Sequence, residues 1–541
     1  MAGIKCGDPF GLDATLLKTL KWERALKRVA HDQRSDFIYA PHFGIIYAKA
    51  GDELAELVSS ELKSGKYLPG MPITMEVPKS GRMRAVSMNR QGPGFSRPGS
   101  ILWPKDRLFY QLLADEAAPI IEKKTDKTRS FSHRLAAPDQ ASMFAPTRTC
   151  WNALQQALAK HSKKRGSKYI LRVDVANYFG SINQHTFIND LTGAGYPKTL
   201  ADRLEVMLVA YTEERSSRGI LQGMYPSDLF GNYYMDPIDR FLKEYPIPSA
   251  RYVDDLYIFI GSVDEADDLL RGLVPLLRAY DLVLNEAKSA IMPKNALMSE
   301  EPDLETLFEE ALDEISSQVA DEDFDADYGF QSEWDEDDDE EEEEGSLDIK
   351  LEATKHLFNS ISKYPGHEEN IERFCLPLFA TIESDYAVGH VLNSFKKRPS
   401  MSQIYAAYLA RFLDEDGVAD YLIELLSDAS LMDWQKMWIL AALLQGSGDD
   451  GAVKVVNQIL TDTTRRDVLR AIAAIYVGKF GDHARRKSLR LLYPSCSPYV
   501  QLAIYFSSRH WSAADKKNAR NAWGASSAMH SLLTSALLKP Q

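Results

Sequence analysis

Strand-like and helix-like patterns alternate between residues 12 and 290. Residues 168–173 and 256–260 are rich in β-branched and aromatic side chains, as expected of buried strands. Apolar residues recur at helical spacing over residues 12–65, which are therefore predicted to be helical. Further helices are predicted at residues 106–118, 149–165, 184–192, 200–214, 226–244 and 264–280, and a returning strand is predicted at 282–288. This mixture predicts an α+β fold.

A basic β-hairpin is predicted near the start of this region. Residues 73–77 and 83–88 have strand character, and Lys79-Ser80-Gly81 between them predicts the turn. Lys79, Arg82 and Arg84 would then lie on or beside a strand pair that can fold over a triphosphate. Taken alone, the segment fits a solvated basic hairpin at least as well.

The pattern changes from residue 351 to the end of the chain, where it is helical and repetitive. Segments with small residues at the centre of apolar helices begin at Tyr405, Trp438, Leu469 and Tyr499, spaced 33, 31 and 30 residues apart. Stacked helical hairpins have such periods. An all-α helical-repeat domain is therefore predicted for residues 351–541.

Charge is distributed unevenly along the chain. Its formal net charge is −15, but residues 301–345 hold 23 Asp and Glu and no Lys or Arg. Without that block, 63 basic residues face 55 acidic ones, and residues 76–168 carry 18 basic against 7 acidic residues. A basic front half suits an enzyme that binds a polyanion.

The acidic block cannot bury enough apolar surface to fold alone. Residues 298–350 are therefore predicted to form a disordered, solvating linker. Two functional alternatives stay open for it: a metal or partner site, and a polyanion mimic that covers the basic cleft until nucleic acid arrives.

Cysteine usage and hydropathy predict a cytoplasmic protein. The cysteines Cys6, Cys150, Cys375 and Cys496 are far apart in the sequence, which argues against a disulfide framework and a zinc site. No run of about 18 or more apolar residues is present, so no membrane association is expected.

The tetrapeptide Tyr252-Val253-Asp254-Asp255 lies between two strand-like segments. Two adjacent carboxylates at the turn of an apolar hairpin repel each other, and a divalent cation would remove that repulsion. An Asp-rich hairpin turn is the alternative. A third acid, Asp174, ends the strand at residues 168–173, and a Gln222-Gly223 turn lies between the two acidic positions.

The order of these motifs is informative. Asp174-x4-Phe179, Gln222-Gly223-x3-Ser227, Tyr252-Val253-Asp254-Asp255 and Leu284-Asn285-x2-Lys288 together resemble the palm of a reverse transcriptase. Upstream, the succession from Tyr67-Leu68-Pro69 to Ser130-Phe131-Ser132-His133-Arg134 resembles the fingers of the reverse transcriptases of group II introns and retrons. A helical-repeat half in place of a standard thumb is similar to the abortive-infection and defence-associated "unknown group" of bacterial reverse transcriptases.

The resemblance implies a right-hand polymerase of the α+β class, with fingers and a ferredoxin-like palm, followed by the all-α repeat domain. The predicted boundaries are 1–165 for N-terminal helices and fingers, 166–297 for the palm, 298–350 for the linker and 351–541 for the repeats that replace a standard thumb.

The resemblance also implies a two-metal site for phosphoryl transfer, with two Mg²⁺ that Mn²⁺ could replace. Asp174 and Asp254 would bridge the ions, Asp255 would lie nearer the edge, and Val175 could offer only its backbone carbonyl. These acids are the predicted catalytic and metal residues.

Further site residues are implied around the acids. Phe179 would occupy the space of a ribose 2′-hydroxyl, which favours deoxynucleotides, and Lys288 would approach the pyrophosphate side as a proton donor. Tyr252 would pack under the primer end or be a plain core residue. Either Ser227 or Asp228 would cap the following helix, and a template contact is the alternative role of Ser227. The predicted nucleotide-binding residues are Lys79, Arg82, Arg84, Phe179, Gln222, Gly223 and Lys288, and the predicted primer or template residues are Tyr252 and Ser227.

The resulting hypothesis is an RNA-directed DNA polymerase that uses deoxynucleoside triphosphates and acts in antiphage defence. Its expected partners are an RNA template and a DNA product, with a noncoding RNA, protein priming and a homo-oligomer as open variants. The alternatives are a conventional reverse transcriptase of a retron or mobile element, and a non-catalytic RNA-binding scaffold.

Overall fold

Four helices open the part of the chain that the structure describes. The computed structural model describes residues 11–84, 91–212, 216–245, 247–296, 344–364 and 366–539. The opening helices are α1 (Ala14–Thr19), α2 (Trp22–Asp32), α3 (Pro41–Lys49) and α4 (Gly51–Ser64). Helix α4 buries Leu54, Val58 and Leu62 at the predicted spacing and ends at Gly65, which adopts the left-handed conformation of a helix C-terminus (φ 69°). The prediction of helices here is confirmed.

A two-stranded antiparallel sheet follows, formed by β1 (Ile73–Arg84) and β2 (Gln91–Ile101). The predicted turn at Lys79-Ser80-Gly81 is wrong, because β1 continues past it to Arg84. Pro78 is paired with Ser96 and Arg82 with Gly94, so the three residues between them on β1 face only Phe95. Surplus residues on one strand make a β-bulge, and here the bulge takes the place of the predicted turn.

A four-stranded antiparallel sheet carries the acidic motifs. Its strands are β3 (Tyr169–Val173), β4 (Ser249–Tyr252), β5 (Asp255–Ile260) and β6 (Ala290–Pro293), in the order β4-β5-β3-β6. Alternate residues of each strand point to opposite faces. One face buries Ile170, Tyr257 and Phe259 in a small cluster with Leu154, and the opposite residues of β3 and β5 join the main core. Burial on both faces explains why these strands are continuous apolar runs.

Helices flank this sheet in chain order. They are α5 (Pro104–Lys124), α6 (Thr147–Ser162), α7 (Tyr178–Ser181), α8 (Gln184–Gly193), α9 (Lys198–Tyr211), α10 (Tyr225–Tyr234), α11 (Asp236–Glu244) and α12 (Val263–Ala279). The single helix predicted at 226–244 is two helices, which separate at Met235 just before Pro237.

The strand predicted at residues 282–288 is also displaced. Only Leu284 pairs there, in an isolated bridge with Val175. The chain then turns at Asn285, whose carbonyl accepts from the N–H groups of Lys288 and Ser289, and the paired strand is β6.

The C-terminal half is helical throughout its described residues. Its helices are α13 (Glu344–Asn359), α14 (Glu368–Thr381), α15 (Val388–Ser394), α16 (Ser402–Leu409), α17 (Val418–Ser427), α18 (Asp433–Leu443), α19 (Asp450–Thr461), α20 (Asp467–Phe480), α21 (His483–Leu492), α22 (Pro498–Ser507), α23 (Ala513–Trp523) and α24 (Ala528–Leu538). Helices α16, α18, α20 and α22 contain the four segments that repeat in the sequence, and they pack against each other in succession. The predicted acidic linker falls mostly on residues 297–343, outside the described residues, and α13 begins before its predicted end.

The two halves of the chain are in contact. Strand β1 packs against the short turn Pro399–Met401 and against α18 and α20, while α22 and α24 pack against α3. The Trp434 indole N–H donates to the carbonyl of Phe37 at 2.7 Å. The described part of the protein is thus mostly helical with two small sheets, and none of its helices has the length and apolar character needed to cross a bilayer.

Candidate active site

The acid doublet lies in the tightest kind of hairpin connection. Tyr252 pairs with Asp255, so only Val253 and Asp254 connect β4 to β5. Two-residue hairpin loops commonly need positive φ, and Val253 has a φ of 54°. A β-branched residue is costly in this conformation, and such strain persists only where surrounding contacts enforce it.

Buried polar groups hold this loop in place. The Val253 N–H donates to the Ser132 hydroxyl at 2.8 Å, and the Arg251 guanidinium donates to the Val253 carbonyl at 3.0 Å. Arg251 also donates to both carboxylate oxygens of Asp239 at 2.7–2.9 Å and to the Asn232 side-chain oxygen at 2.6 Å. Both sides of the strained residue are therefore attached to one buried network.

Asp174 and Asp254 lie at the ends of neighbouring strands. Asp174 directly follows β3, which is paired with β5, and the hairpin loop places Asp254 immediately before β5. Asp174 accepts a hydrogen bond from the Asn285 amide at 2.7 Å, and the Lys288 ammonium lies 3.7 Å from its other oxygen. Burial raises the pKa of Asp254 most, and together with the charges of Asp255 and Asp174 it brings this pKa to about 7.

Asp255 has a different environment. Its carboxylate lies 3.8 Å from the guanidinium of Arg172 on β3, and strand alternation places it on the face of Tyr257 and Phe259. Among the described residues, no three His, Cys, Asp or Glu side chains converge closely enough to hold a metal ion. Asp254 thus lies in the electrostatic field of both Asp255 and Asp174, and Asp255 also lies near an arginine.

The donor set at Asp174 and Asp254 suits a hard divalent cation. Such an ion would offset the charge of Asp174 and of the Asp254 carboxylate, whose charged form is disfavoured by burial. Mg²⁺ is commonly bound by one or two carboxylates, together with waters and substrate phosphates. A pair of acids, with no third closely converging acid among the described residues, is therefore compatible with Mg²⁺. Buried Val175 lies next to Asp174 in the chain.

Basic side chains surround the acids. The pKa of Lys79, an exposed residue of β1, is lowered by partial burial and by the charges of Arg97 and Lys288, while Asp174 and Asp254 act in the opposite direction. The bulged strand β1 thus brings Lys79 near the acid pair. Arg82 and Arg84 lie farther along β1, but their side chains are outside the described part of the structure.

The Gln222-Gly223 turn is packed tightly against an N-terminal residue. Gly223 has a φ of 79°, and a Cβ atom there would lie 2.6 Å from the Phe37 ring, so both conformation and space require glycine. The Arg97 guanidinium also lies over this ring, 4.4 Å from its centroid. Gly223 and half-buried Arg97 thus both adjoin the Phe37 ring, and Trp434 of the C-terminal half donates to the Phe37 backbone carbonyl.

The remaining predicted residues have mixed placements. Phe179 is partly buried against Gly231, where a Cβ atom would lie 2.7 Å from the Phe179 ring. Tyr252 packs edge-on against Trp151 with ring centroids 5.4 Å apart. Ser227 is fully buried in the first turn of α10 and hydrogen-bonds the Tyr110 hydroxyl at 3.1 Å.

Two predictions about α10 are therefore wrong. Neither Ser227 nor Asp228 caps this helix, because α10 begins at Tyr225 and its N-cap position is Met224, without a side-chain cap. Since the Ser227 side chain is inaccessible, it cannot contact a template strand in this conformation.

Several residues that organise the site were not predicted as site residues. Arg251, Asp239, Asn232 and Phe37 have no local motif, and their partners are distant in sequence. Ser132 lies in the succession that resembles fingers, but nothing in that pattern predicts a hydrogen bond to Val253. The one available signal was the unusual position of Arg251, a charged residue in a strand-like segment three residues before Asp254.

Comparison with known proteins identifies a family match within this chain. Residues 95–301 match the family model described as reverse transcriptase (RNA-dependent DNA polymerase). Among solved structures, the chain is similar to telomerase from Candida albicans in complex with a TWJ fragment of telomeric RNA, at 11% identity and a TM-score of 0.30, covering 73% of this chain and 66% of that chain. It is also similar to apo telomerase from Candida tropicalis, at 11% identity and a TM-score of 0.29, covering 77% of this chain and 73% of that chain. The sequence matches no curated protein significantly. Residues 95–301 of this chain therefore match a reverse-transcriptase domain, which supports RNA-directed DNA polymerase activity.

Proposed function

We propose that this polymerase adds deoxynucleotides at the Asp174–Asp254 pair and uses two Mg²⁺, which Mn²⁺ can replace. The observation that supports this most is the position of two carboxylates at adjacent strand ends, with Lys288 3.7 Å from Asp174 and Lys79 close enough to be influenced by both acids. Reverse-transcriptase domains generally use divalent metal ions. The experiment that tests the assignment is substitution of Asp254, argued in full in the Discussion.

Each group near the pair then has a proposed role. Asp174 and Asp254 would hold the metal ions, which would lower the pKa of the attacking 3′-hydroxyl and offset charge on the leaving pyrophosphate. Asn285 orients the Asp174 carboxylate through its 2.7 Å hydrogen bond. Lys79 neutralises the incoming triphosphate, and Lys288 lies on the pyrophosphate side, where its ammonium can donate a proton. Arg82, Arg84 and the backbone carbonyl of Val175 remain candidates for the same site.

Phe179 is proposed to exclude ribonucleotides. Its ring packs against Gly231 and lies 5.4 Å from the Tyr178 ring, which limits its movement. A fixed ring beside the sugar would collide with a 2′-hydroxyl.

Phe179→Ala should therefore raise the ratio of ribonucleotide to deoxynucleotide incorporation by about tenfold or more, because space opens beside the 2′ carbon. The measurement is kcat/KM for each sugar on the same primer–template. Phe179→Tyr keeps the ring and is the matched control, with selectivity close to wild type. Equal use of both sugars by the wild-type protein would show that Phe179 is not a steric gate.

The fold also fits a polymerase arrangement. We interpret the four-stranded sheet with its helices as the palm, and the β1–β2 hairpin with the N-terminal helices as the fingers. The C-terminal helical repeats then take the place of a thumb. Their packing against β1 and against Phe37, which adjoins the Gln222-Gly223 turn, supports a role close to the nucleotide site.

The proposed biological role is antiphage defence of the abortive-infection type. It is supported by the motif resemblance and by the helical half that follows the polymerase domain. Plaque assays on cells carrying the wild-type or the Asp254→Asn protein would test it, since protection should depend on catalysis. Protection by both proteins would favour the scaffold alternative, and protection by neither would favour a conventional retron or mobile-element enzyme. Sequencing the copurified nucleic acid would identify a noncoding RNA template.

A further inference from the structure

A strongly basic stretch lies in the C-terminal half of this acidic protein. Residues 479–520 contain nine Lys and Arg and only two acidic residues, whereas the whole chain has a net charge of −15. The stretch lies outside the reverse-transcriptase domain at residues 95–301. It covers the end of α20, all of α21 and α22, and most of α23.

Both acids of this stretch already have structural partners. Asp482 caps α21 by accepting from the Arg485 backbone N–H at 2.8 Å. Asp515 on α23 pairs with Arg490 on α21, and the Arg490 guanidinium also lies over the Trp511 ring, 5.3 Å from its centroid. These contacts place α21 and α23 side by side. We call the exposed lysines and arginine of these two helices, Lys487, Lys516, Lys517 and Arg520, the basic face.

Other cations converge beside this face. Burial lowers the pKa of His510 to about 4, and the charges of Arg509, Lys479, Lys516 and Arg486 lower it as well. These groups come from α20, α21, α23 and the turn after α22. Positive charge is therefore concentrated in space as well as in sequence.

Helix capping explains only part of this concentration. Arg486 donates to the carbonyls of Gly478 and Lys479 at 3.3 and 3.1 Å, and Lys479 donates to the carbonyl of Leu444 at 2.6 Å. Cations at helix C-termini are stabilised in this way. The four residues of the basic face are exposed, and their side chains make no hydrogen bond or ion pair with any residue in the described part of the chain. These four side chains thus contribute little to the stability of the fold, and no ion pair in the described part of the chain offsets their positive charge.

We propose that the basic face binds the sugar–phosphate backbone of single-stranded nucleic acid at a site separate from the reverse-transcriptase domain. The inference rests on that domain only in one respect: a polymerase has polyanionic template and product strands, which extend beyond its active site. A bilayer surface fits less well, because Leu491 is the one strongly exposed large apolar residue between Lys479 and Arg520. Electrostatic contacts of this kind are independent of sequence and sensitive to salt.

The test compares two triple variants of the full-length protein. One is Lys487→Ala/Lys516→Ala/Lys517→Ala, and the other is Lys18→Ala/Lys63→Ala/Lys198→Ala, which removes three exposed lysines elsewhere. Binding of fluorescent oligo-dT and oligo-U is measured by anisotropy between about 50 and 300 mM salt, without deoxynucleotides. The basic-face variant should bind at least about fivefold more weakly, with a salt slope smaller by about 2, because each lost single-strand phosphate contact removes about 0.7. The second variant should bind as wild type does.

The outcomes distinguish this site from the catalytic one. Asp254→Asn protein should show the same loss when it carries the basic-face substitutions, since binding here does not need the acids. A larger effect on oligo-U or on oligo-dT would identify the bound strand as template-like or product-like. Equal losses in both triple variants, or no loss in the basic-face variant, would overturn the proposal. If the basic-face variant bound polyglutamate more weakly but bound both oligonucleotides as wild type does, the proposal would also be overturned, and the face would be a protein interface.

Discussion

Asp254→Asn should lower the rate of deoxynucleotide addition by about a thousandfold or more. The substitution keeps the shape of the side chain but removes one of two carboxylate charges that are coupled across neighbouring strand ends. Loss of a charge that binds a catalytic metal ion costs several kcal/mol of transition-state stabilisation, and about 4 kcal/mol corresponds to a thousandfold change. The measurement is single-nucleotide extension of an annealed primer in Mg²⁺, with thermal unfolding as a check on folding.

The matched control for this prediction is Asp268→Asn. Asp268 is an exposed residue of α12, and the substitution makes the same chemical change away from the acid pair. It should extend the primer at the wild-type rate. An Asp254→Asn protein that is folded and fully active would sink the assignment of the catalytic pair.

Asp239→Ala should destabilise the protein by about 3–5 kcal/mol and strongly reduce activity. Asp239 and Arg251 are 2% and 1% exposed, and three hydrogen bonds of 2.7–2.9 Å join them. Removing one partner of a buried ion pair leaves the other charge uncompensated. Because the same arginine holds the Val253 carbonyl, the strained loop that carries Asp254 would also be released.

Urea unfolding measures the stability loss, and Asp267→Ala is the control. Asp267 and Arg271 form an ion pair of 2.6 Å on α12, but their side chains are 63% and 73% exposed, so the expected loss is below about 1 kcal/mol. If Asp239→Ala fails to fold, the paired variant Asp239→Leu/Arg251→Met should recover stability, because no buried charge remains, but not activity. Full activity of that pair would show that the network does not position the loop.

Local patterns predicted much of the fold. The strands at β3 and β5, the helices α1–α4 and the four repeated helical segments follow from apolar spacing, because each element buries its own periodic face. The acid pair was predictable for a similar reason. Strand character on both sides of Asp254 and before Asp174 places both acids at strand ends.

Long-range packing could not be predicted in this way. Trp434 donates to Phe37 across 397 residues of sequence, and no local pattern pairs them. The β-bulge at residues 79–81 of β1 resembled a turn in the sequence, because small and polar residues are found in both bulges and turns. The segment at 282–288 has strand composition, but the contacts of Asn285 with Asp174 turn the chain there.

Functional residues could be predicted only where a sequence motif contains them. The opposite environments of Asp254 and Asp255 depend on strand alternation and on Arg172, which a sequence of two identical acids does not reveal. The buried residues that hold the Val253–Asp254 loop could not be predicted from the sequence, and the same is true of Phe37. Each becomes a neighbour of the site only after the sheet and α10–α11 have packed.

The central claim is that this chain copies RNA into DNA at the Asp174–Asp254 pair. The most direct measurement gives purified protein a primer annealed to a synthetic RNA template, with Mg²⁺ and deoxynucleotides, and sequences the product. We expect an alkali-stable product complementary to the RNA from the wild-type protein, and none from Asp254→Asn. A product that ignores the template sequence, or one made equally by both proteins, would contradict it.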